Sequence, residues 1–231
     1  MKALLLAAGF GTRLRPLTDT IPKCLVPINN KPLLQIWIEM LTASGINDIL
    51  VNKHYLSDQV TRFINSSDAF RHVRTVYEKN LLGTAGTLLA NRDFFDGSAA
   101  MLIHADNLSR FNMYSFIQRH LNRPTGTCIT MMTFSTDIPQ TCGIVEVDGN
   151  DVVVAFHEKV SNSPGNLANG AVYIVEPEVF DFLVSLNKKV IDFSTEIIPR
   201  FLGRIYTFYN DDYHRDIGNP ESYEAAQYEF K

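Results

Sequence analysis

Apolar runs of strand length alternate along the first half of the chain with segments whose apolar residues recur every three or four positions. The run at 2–8 (KALLLAA) predicts a buried strand. Over 32–45 (PLLQIWIEMLTASG), Leu33, Ile36, Trp37, Met40 and Leu41 share one helical face, with Pro32 suited to a first turn and Gly45 to a stop. A strand at 48–52 (DILVN), a helix over 57–65 and a strand at 74–78 (RTVYE) continue the alternation. A helix over 84–94 and a strand at 99–106 (AAMLIHAD) follow, and Met113, Phe116, Ile117, His120 and Leu121 form a further helical stripe.

The second half is richer in strands. TCITMMTF (127–134), GIVEVDGNDVVVAFHEK (143–159, turning at Asp148 to Asn150) and GAVYIV (170–175) all read as extended. A helix near 177–187 and a strand at 204–209 precede a last helix, capped by Asn219 with Pro220 in its first turn. The pattern predicts an α/β fold: a doubly wound, mostly parallel sheet of Rossmann-like type with a β-richer second half. Residues 1–231 read as a single domain, divided at about residue 110. Ligands of such sheets bind beyond the carboxyl ends of the strands, where both the glycine-rich loop after the first strand and Asp106 fall.

Composition narrows the classes. With 231 residues, 45% of them hydrophobic, the chain has ample material for one large core. Its net charge of −4 excludes the basic face of a non-specific nucleic-acid binder. No apolar run approaches the ~20 residues needed to cross a bilayer, and the first run is shorter than the ~7–15 residues of a secretory leader core. Cys24, Cys128 and Cys142 are odd in number and lack metal-site spacing, as expected of reduced packing residues in a cytoplasmic protein. The six histidines share no ligand spacing.

Candidate chemistry concentrates in the loop Gly9-Phe10-Gly11-Thr12-Arg13-Leu14. Leu14 stands where the dinucleotide fingerprint has its third glycine, and no Gly-Lys-Ser/Thr closes the loop as a P-loop requires. A bare G-x-G also serves as a tight strand exit. The longer string is more telling: G-x-G-T-R-L-x-P-x-T, then P-K, L-x-P and K-P, from Gly9 to Pro32. LLGTAG (81–86), HAD (104–106), FHEK (156–159), NGAVYI (169–174) and DIGNPESY (216–223) carry the pattern on along the chain. Together these segments resemble the sugar-1-phosphate nucleotidylyltransferases, and within them most the mannose-1-phosphate and heptose-1-phosphate guanylyltransferases.

That resemblance implies a reaction between a nucleoside triphosphate, GTP favoured, and a manno-configured hexose or heptose 1-phosphate. UTP or CTP with another sugar phosphate or a small phosphate is the alternative, and a catalytically silent nucleotide-sugar-binding regulatory subunit is a further one. Both substrates are polyanions, and the attacking phosphate oxygen is already charged, so the reaction needs cations and no general base. The resemblance assigns Arg13 and Lys23 to catalysis and Leu6, Ala8, Gly9, Gly11, Thr12, Arg13, Gly83, Thr84 and Ala85 to the nucleotide. Arg15 reads equally as a phosphate contact or a solvated side chain. Asp106 and Asp216 would hold Mg²⁺, and Asn107, Gly143, Glu158, Lys159 and Asn169 would contact the sugar phosphate. The first half of the chain would then bind nucleotide and the second half sugar phosphate. Two departures stand out: Ala105 precedes Asp106 where the family has glycine, and Gly170-Ala171 reverses the family's Ala-Gly order. The short form of the family, without a C-terminal β-helix, is implied. No nucleic-acid or membrane partner is expected, and self-association into a homo-oligomer is left open.

Overall fold

The computed structural model describes residues 1–231. In chain order it begins with β1 (Lys2–Leu6), β2 (Pro27–Ile28), β3 (Lys31–Pro32), α1 (Leu33–Ala43), β4 (Ile49–Lys53), α2 (Ser57–Ile64) and β5 (Val73–Tyr77). Then come α3 (Thr84–Ala90), α4 (Arg92–Phe95), β6 (Ala100–His104), β7 (Asn107–Arg110) and α5 (Met113–Leu121). Strands β8 (Ile129–Ser135), β9 (Gly143–Val147), β10 (Val153–Glu158) and β11 (Leu167–Val175) lead to α6 (Pro177–Ser185). The chain closes with β12 (Ile205–Tyr209), β13 (Tyr213–Asp216) and α7 (Pro220–Glu229). The α/β class is as the periodicity predicts. The expected helix over 84–94 is broken at Asn91 into α3 and α4, while β7 and β13 had no counterpart in the pattern.

Two compact units form. The first comprises Met1–Leu81, Ile103–Met113 and Tyr213–Lys231. Its sheet is parallel: Leu4 lies opposite Leu50 and Leu50 opposite Arg74. The central residues of β1 and β4 are buried, which explains their unbroken apolar runs. Helix α1 buries Leu33, Leu34, Trp37, Ile38 and Leu41 along one stripe. The buried Trp37 indole donates to the Asn107 carbonyl at 2.8 Å, leaving no orphan N–H. Strands β7 and β13 pair antiparallel, with Asp216 opposite Asn107 and His214 opposite Ser109. Helix α7 is capped as predicted, Asn219 accepting from Ser222 N at 2.8 Å. It also braces the turn after β2: Tyr223 and Gln227 both donate to the Pro27 carbonyl, and Asn29 N donates to Gln227.

The second unit comprises Leu82–Leu102 and Tyr114–Asp212. Here β8 pairs antiparallel with β11 and parallel with β12, and β9 pairs antiparallel with β10 and with β11. The β8–β11 register slips between Asn169 and Tyr173, so β11 bulges there. A Cβ on Gly170 would collide with the Met132 methyl, so a larger residue there requires the Met132 side chain to shift. Ala171 takes the left-handed backbone (φ +54°), and its N–H is held at 2.9 Å by Asn169 Oδ1. The reversed Gly-Ala order thus moves the strained position onto alanine. Ala171→Gly is expected to raise stability by about 1 kcal/mol, since a left-handed non-glycine residue costs ~1–2 kcal/mol and glycine returns part of that as chain entropy. Gly170→Ala is expected to lower it. Urea unfolding midpoints at unchanged m-value check both.

Candidate active site

In the first unit the loop leaving β1 is pinned before its basic residues begin. Ala7 N donates at 2.7 Å to the buried Asn52 side chain at the end of β4, and Asn52 donates at 3.0 Å to Glu78. The Leu6 carbonyl accepts from Ala105 N at 3.1 Å, and Ala8 is buried behind it. Gly9 has open space around it, whereas Gly11 is left-handed (φ +64°) and would press any Cβ against Thr18 and Lys23. The Gly11 carbonyl accepts from Leu14 N at 2.9 Å and from the buried Thr18 hydroxyl at 2.7 Å. Thr12 and Arg13 therefore sit on a tight 3-10 turn, Thr12–Leu14. The Phe10 ring packs on His54 and Tyr55, and Tyr55 donates to the Thr18 carbonyl.

Four predicted site residues meet on this framework. Lys23 Nζ lies 2.8 Å from Asp106 Oδ2 and 3.3 Å from Asp216 Oδ1. Arg13 Nη2 lies 3.5 Å from Asp216 Oδ2. The meeting follows from topology: Asp106 immediately precedes β7, Asp216 ends β13, and the ribbon register sets Asp216 opposite Asn107. Only 6% of the Lys23 side chain is exposed, against 71% for Arg13, so the ammonium is committed to the two acids while the guanidinium faces solvent. Arg215 turns the other way and forms two bonds to Glu229, at 2.7 and 2.9 Å. Arg15 also stands apart, paired with Asp19 at 3.1 Å on the surface.

Charge at the cluster is balanced. Burial pulls the Asp106 carboxyl upward, but the Lys23 ammonium and His104 outweigh it and hold its pKa below the ordinary value. His214 is sunk in the ribbon, bonded to Ser109 at 2.7 Å, and burial pushes its pKa down to about 3 despite the Asp106 charge. It is a neutral prop. Burial likewise raises the Cys24 and Cys128 thiols to about 12, and no cysteine forms a disulfide.

Asp106 and Asp216 fit a hard divalent cation. Their two carboxylates already converge on one positive charge, and such ions are held in phosphate sites by one or two carboxylates plus substrate oxygens. No group of three or more acidic, histidine or cysteine side chains forms an alternative metal cage.

A second set of predicted residues gathers within the second unit. Glu158 lies opposite Gly143 across the β9–β10 pair, and a Cβ on Gly143 would crowd both Glu158 Oε2 and the Phe156 ring. Lys159 is left-handed (φ +51°), its N–H bonded to the Cys142 carbonyl and its ammonium 3.4 Å from Glu158 Oε1. Asn169 donates to the Tyr173 hydroxyl at 2.7 Å, and Glu158 and Asp192 add to the burial that raises the Tyr173 pKa. Gly83 and Ala85 are held by backbone at Ile191; a Gly83 Cβ would meet the Ile191 carbonyl oxygen at 2.5 Å. The Thr84 hydroxyl is engaged inside the protein, accepting from Phe193 N at 2.7 Å and facing Asp192 Oδ2 at 3.3 Å.

Several supporting residues escaped sequence reasoning: Thr18, Asn52, Tyr173, Asp192 and Gly218. Gly218 carried a signal, two residues beyond Asp216 in D-I-G-N. A Cβ there would meet Asp216 Oδ2 at 2.6 Å and Arg13 Nη2 at 3.0 Å, so a larger residue would push the pair out of this arrangement.

Known proteins resemble this chain in sequence and in fold. The Synechocystis UTP–glucose-1-phosphate uridylyltransferase is 30% identical over 98% of this chain and 62% of its own length. Mannose-1-phosphate guanylyltransferase 1 of Arabidopsis thaliana is 30% identical over 96% of this chain and 63% of its own. The chain thus spans less than two thirds of these relatives. Among solved structures, HddC from Yersinia pseudotuberculosis complexed with GMP-PN superposes with a TM-score of 0.83 at 25% identity, covering 100% of this chain and 99% of that one. The family profile described as Nucleotidyl transferase matches residues 2–231, and the chain belongs to that family.

Proposed function

We propose that the protein joins a nucleoside triphosphate to a sugar 1-phosphate, giving a nucleotide-diphosphate sugar and pyrophosphate. The convergence of Arg13, Lys23, Asp106 and Asp216 beside the β1 loop carries the reading. A sugar-phosphate oxygen attacks the α-phosphorus; the α-phosphorus bond to the bridging oxygen breaks, and its electron pair leaves with pyrophosphate. The exposed Arg13 guanidinium offers two directed N–H donors to α-phosphoryl and departing oxygens. Lys23, held rigid by two acids, presents a fixed positive charge that needs no reorganisation during transfer. Asp106 and Asp216 would hold Mg²⁺, which supplies charge neutralisation for the triphosphate. The backbone at Gly9 and Gly11 would admit the phosphates, and Gly83 to Ala85 the nucleoside. Asn107, Gly143, Glu158, Lys159 and Asn169 would contact the sugar phosphate.

GTP with a manno-configured hexose or heptose 1-phosphate is the favoured pair, supported by the guanylyltransferase relative and by the GMP-PN complex. UTP with glucose 1-phosphate is the second reading, supported by the uridylyltransferase relative. Three cysteines without a disulfide suit a cytoplasmic setting. No helix is long and apolar enough to cross a membrane.

Pyrophosphate release over a grid of GTP, UTP, CTP, ATP and dTTP against mannose, heptose and glucose 1-phosphates tests the reading. The expected result is release with GTP and mannose or heptose 1-phosphate, abolished by EDTA. Nucleotide-sugar binding with no release in any pairing would mark a silent regulatory subunit instead. In the active pairing, Arg13→Ala is expected to lower turnover by about 10²–10³-fold, the range for losing one transition-state donor. Its unfolding midpoint should stay near wild type, because the side chain is exposed.

A further inference from the structure

The segment from Lys189 to Phe193 is built against the 82–86 loop like a mould. Ile191 N donates to the Leu82 carbonyl at 2.9 Å, and the Ile191 carbonyl accepts from Ala85 N at 3.0 Å and Gly86 N at 3.1 Å. Neither glycine of the loop admits a side chain. A Cβ on Gly83 would meet Ile191 O, and one on Gly86 would collide with Lys189 O. One side chain bridges the two segments: Thr84, whose hydroxyl accepts from Phe193 N and faces Asp192 Oδ2. Asp192 is itself fixed, its Oδ1 accepting from Thr195 N at 2.9 Å and from the Thr195 hydroxyl at 3.0 Å. The Phe193 ring then packs on Tyr173 at 4.4 Å between centroids, and Tyr173 accepts from Asn169.

Thr84 thus has its hydroxyl turned inward, and the amides of Ala85 and Gly86 are taken by Ile191. These groups are therefore not what the loop offers a nucleoside, and the shape of the loop is set from outside. We propose that Asp192 is a positioning residue for nucleotide binding: through Thr84 it holds the 82–86 loop at the height and tilt that a nucleoside requires. Asp192 touches no substrate in this scheme. The assignment rests on the reading that Gly83 to Ala85 line the nucleotide.

Asp192→Ser separates the positioning role from the capping role. Serine keeps an acceptor for Thr195 N but is too short to reach Thr84. Thr84→Val removes the same contact from the other side. Each is expected to weaken Mg²⁺–GTP affinity about ten-fold, with sugar-phosphate affinity little changed; the double variant should be no weaker than either single, because both remove one interaction. Amide exchange at Ala85 and Gly86 should quicken in the ligand-free variants, and Thr84→Ser should lie closer to wild type than Thr84→Val. Glu196→Gln, in the same segment, should leave GTP affinity at the wild-type value. The assignment is overturned if Asp192→Ser binds GTP like wild type, if both substrates weaken alike, or if the two losses add in full. A wild-type chain that binds GTP, UTP, CTP, ATP and dTTP not at all overturns the nucleotidyl-transfer reading itself, and this assignment with it.

Discussion

Lys23→Met is expected to damage stability and turnover together. Methionine matches the lysine stem in length, so packing around the buried chain is largely kept. What disappears is the ammonium between Asp106 and Asp216, leaving two carboxylates facing each other without a counter-charge. Breaking a fully buried pair in this way costs ~3–5 kcal/mol; with the acids 40% and 51% exposed, solvent screening lowers the expected loss to about 2 kcal/mol. Chemical denaturation should show it, and added Mg²⁺ should recover part, because a divalent cation meets the same demand. Pyrophosphate release should fall by about 10²-fold or more, as for other fixed charges aimed at a transition state. A variant as stable and as active as wild type would remove Lys23 from both roles.

Asp106→Asn separates charge from shape. The amide oxygen can still accept from Lys23, so the fold should tolerate the change while the site loses a negative charge and the anionic oxygen proposed to hold Mg²⁺. Turnover at saturating substrates is expected to drop about 10³-fold, with the metal requirement shifted to higher Mg²⁺. The acid side of the stability profile should change too. Because the folded Asp106 pKa lies below its unfolded value, its contribution is present above the unfolded pKa and disappears as pH falls through the folded one. The variant should lack that component, seen as a flatter decline in unfolding midpoint below about pH 4. Turnover within three-fold of wild type would exclude Asp106 from the reaction.

Local order was legible wherever one residue pattern had one structural outcome. The apolar stripe of α1, the buried run of β1 and the Asn219-Pro220 helix start all appear as periodicity and capping predict. Long-range order was less so. Asp106 and Asp216 meet because NLSR pairs with YHRD, two short polar segments with no apolar alternation to betray a strand. The ribbon also returns residues 213–231 to the unit that holds β1, a consequence of pairing over a separation local patterns do not encode. Thr84 illustrates a different obstacle. A threonine at a helix start can cap, bind ligand or brace a neighbouring loop, and only the position of Asp192 and Phe193 decides among them. The Gly170-Ala171 order was visible as an anomaly, but the Met132 methyl that crowds Gly170 lies on another strand.

Helix α7 begins four residues after Asp216, and its Tyr223 and Gln227 side chains hold Pro27 and Asn29, just beyond the loop that carries Lys23. One of the acids and the cation it faces are therefore yoked to a single rigid strut. A substitution that unseats α7 is therefore expected to loosen both sides of the ion pair together, although the helix touches neither charged group.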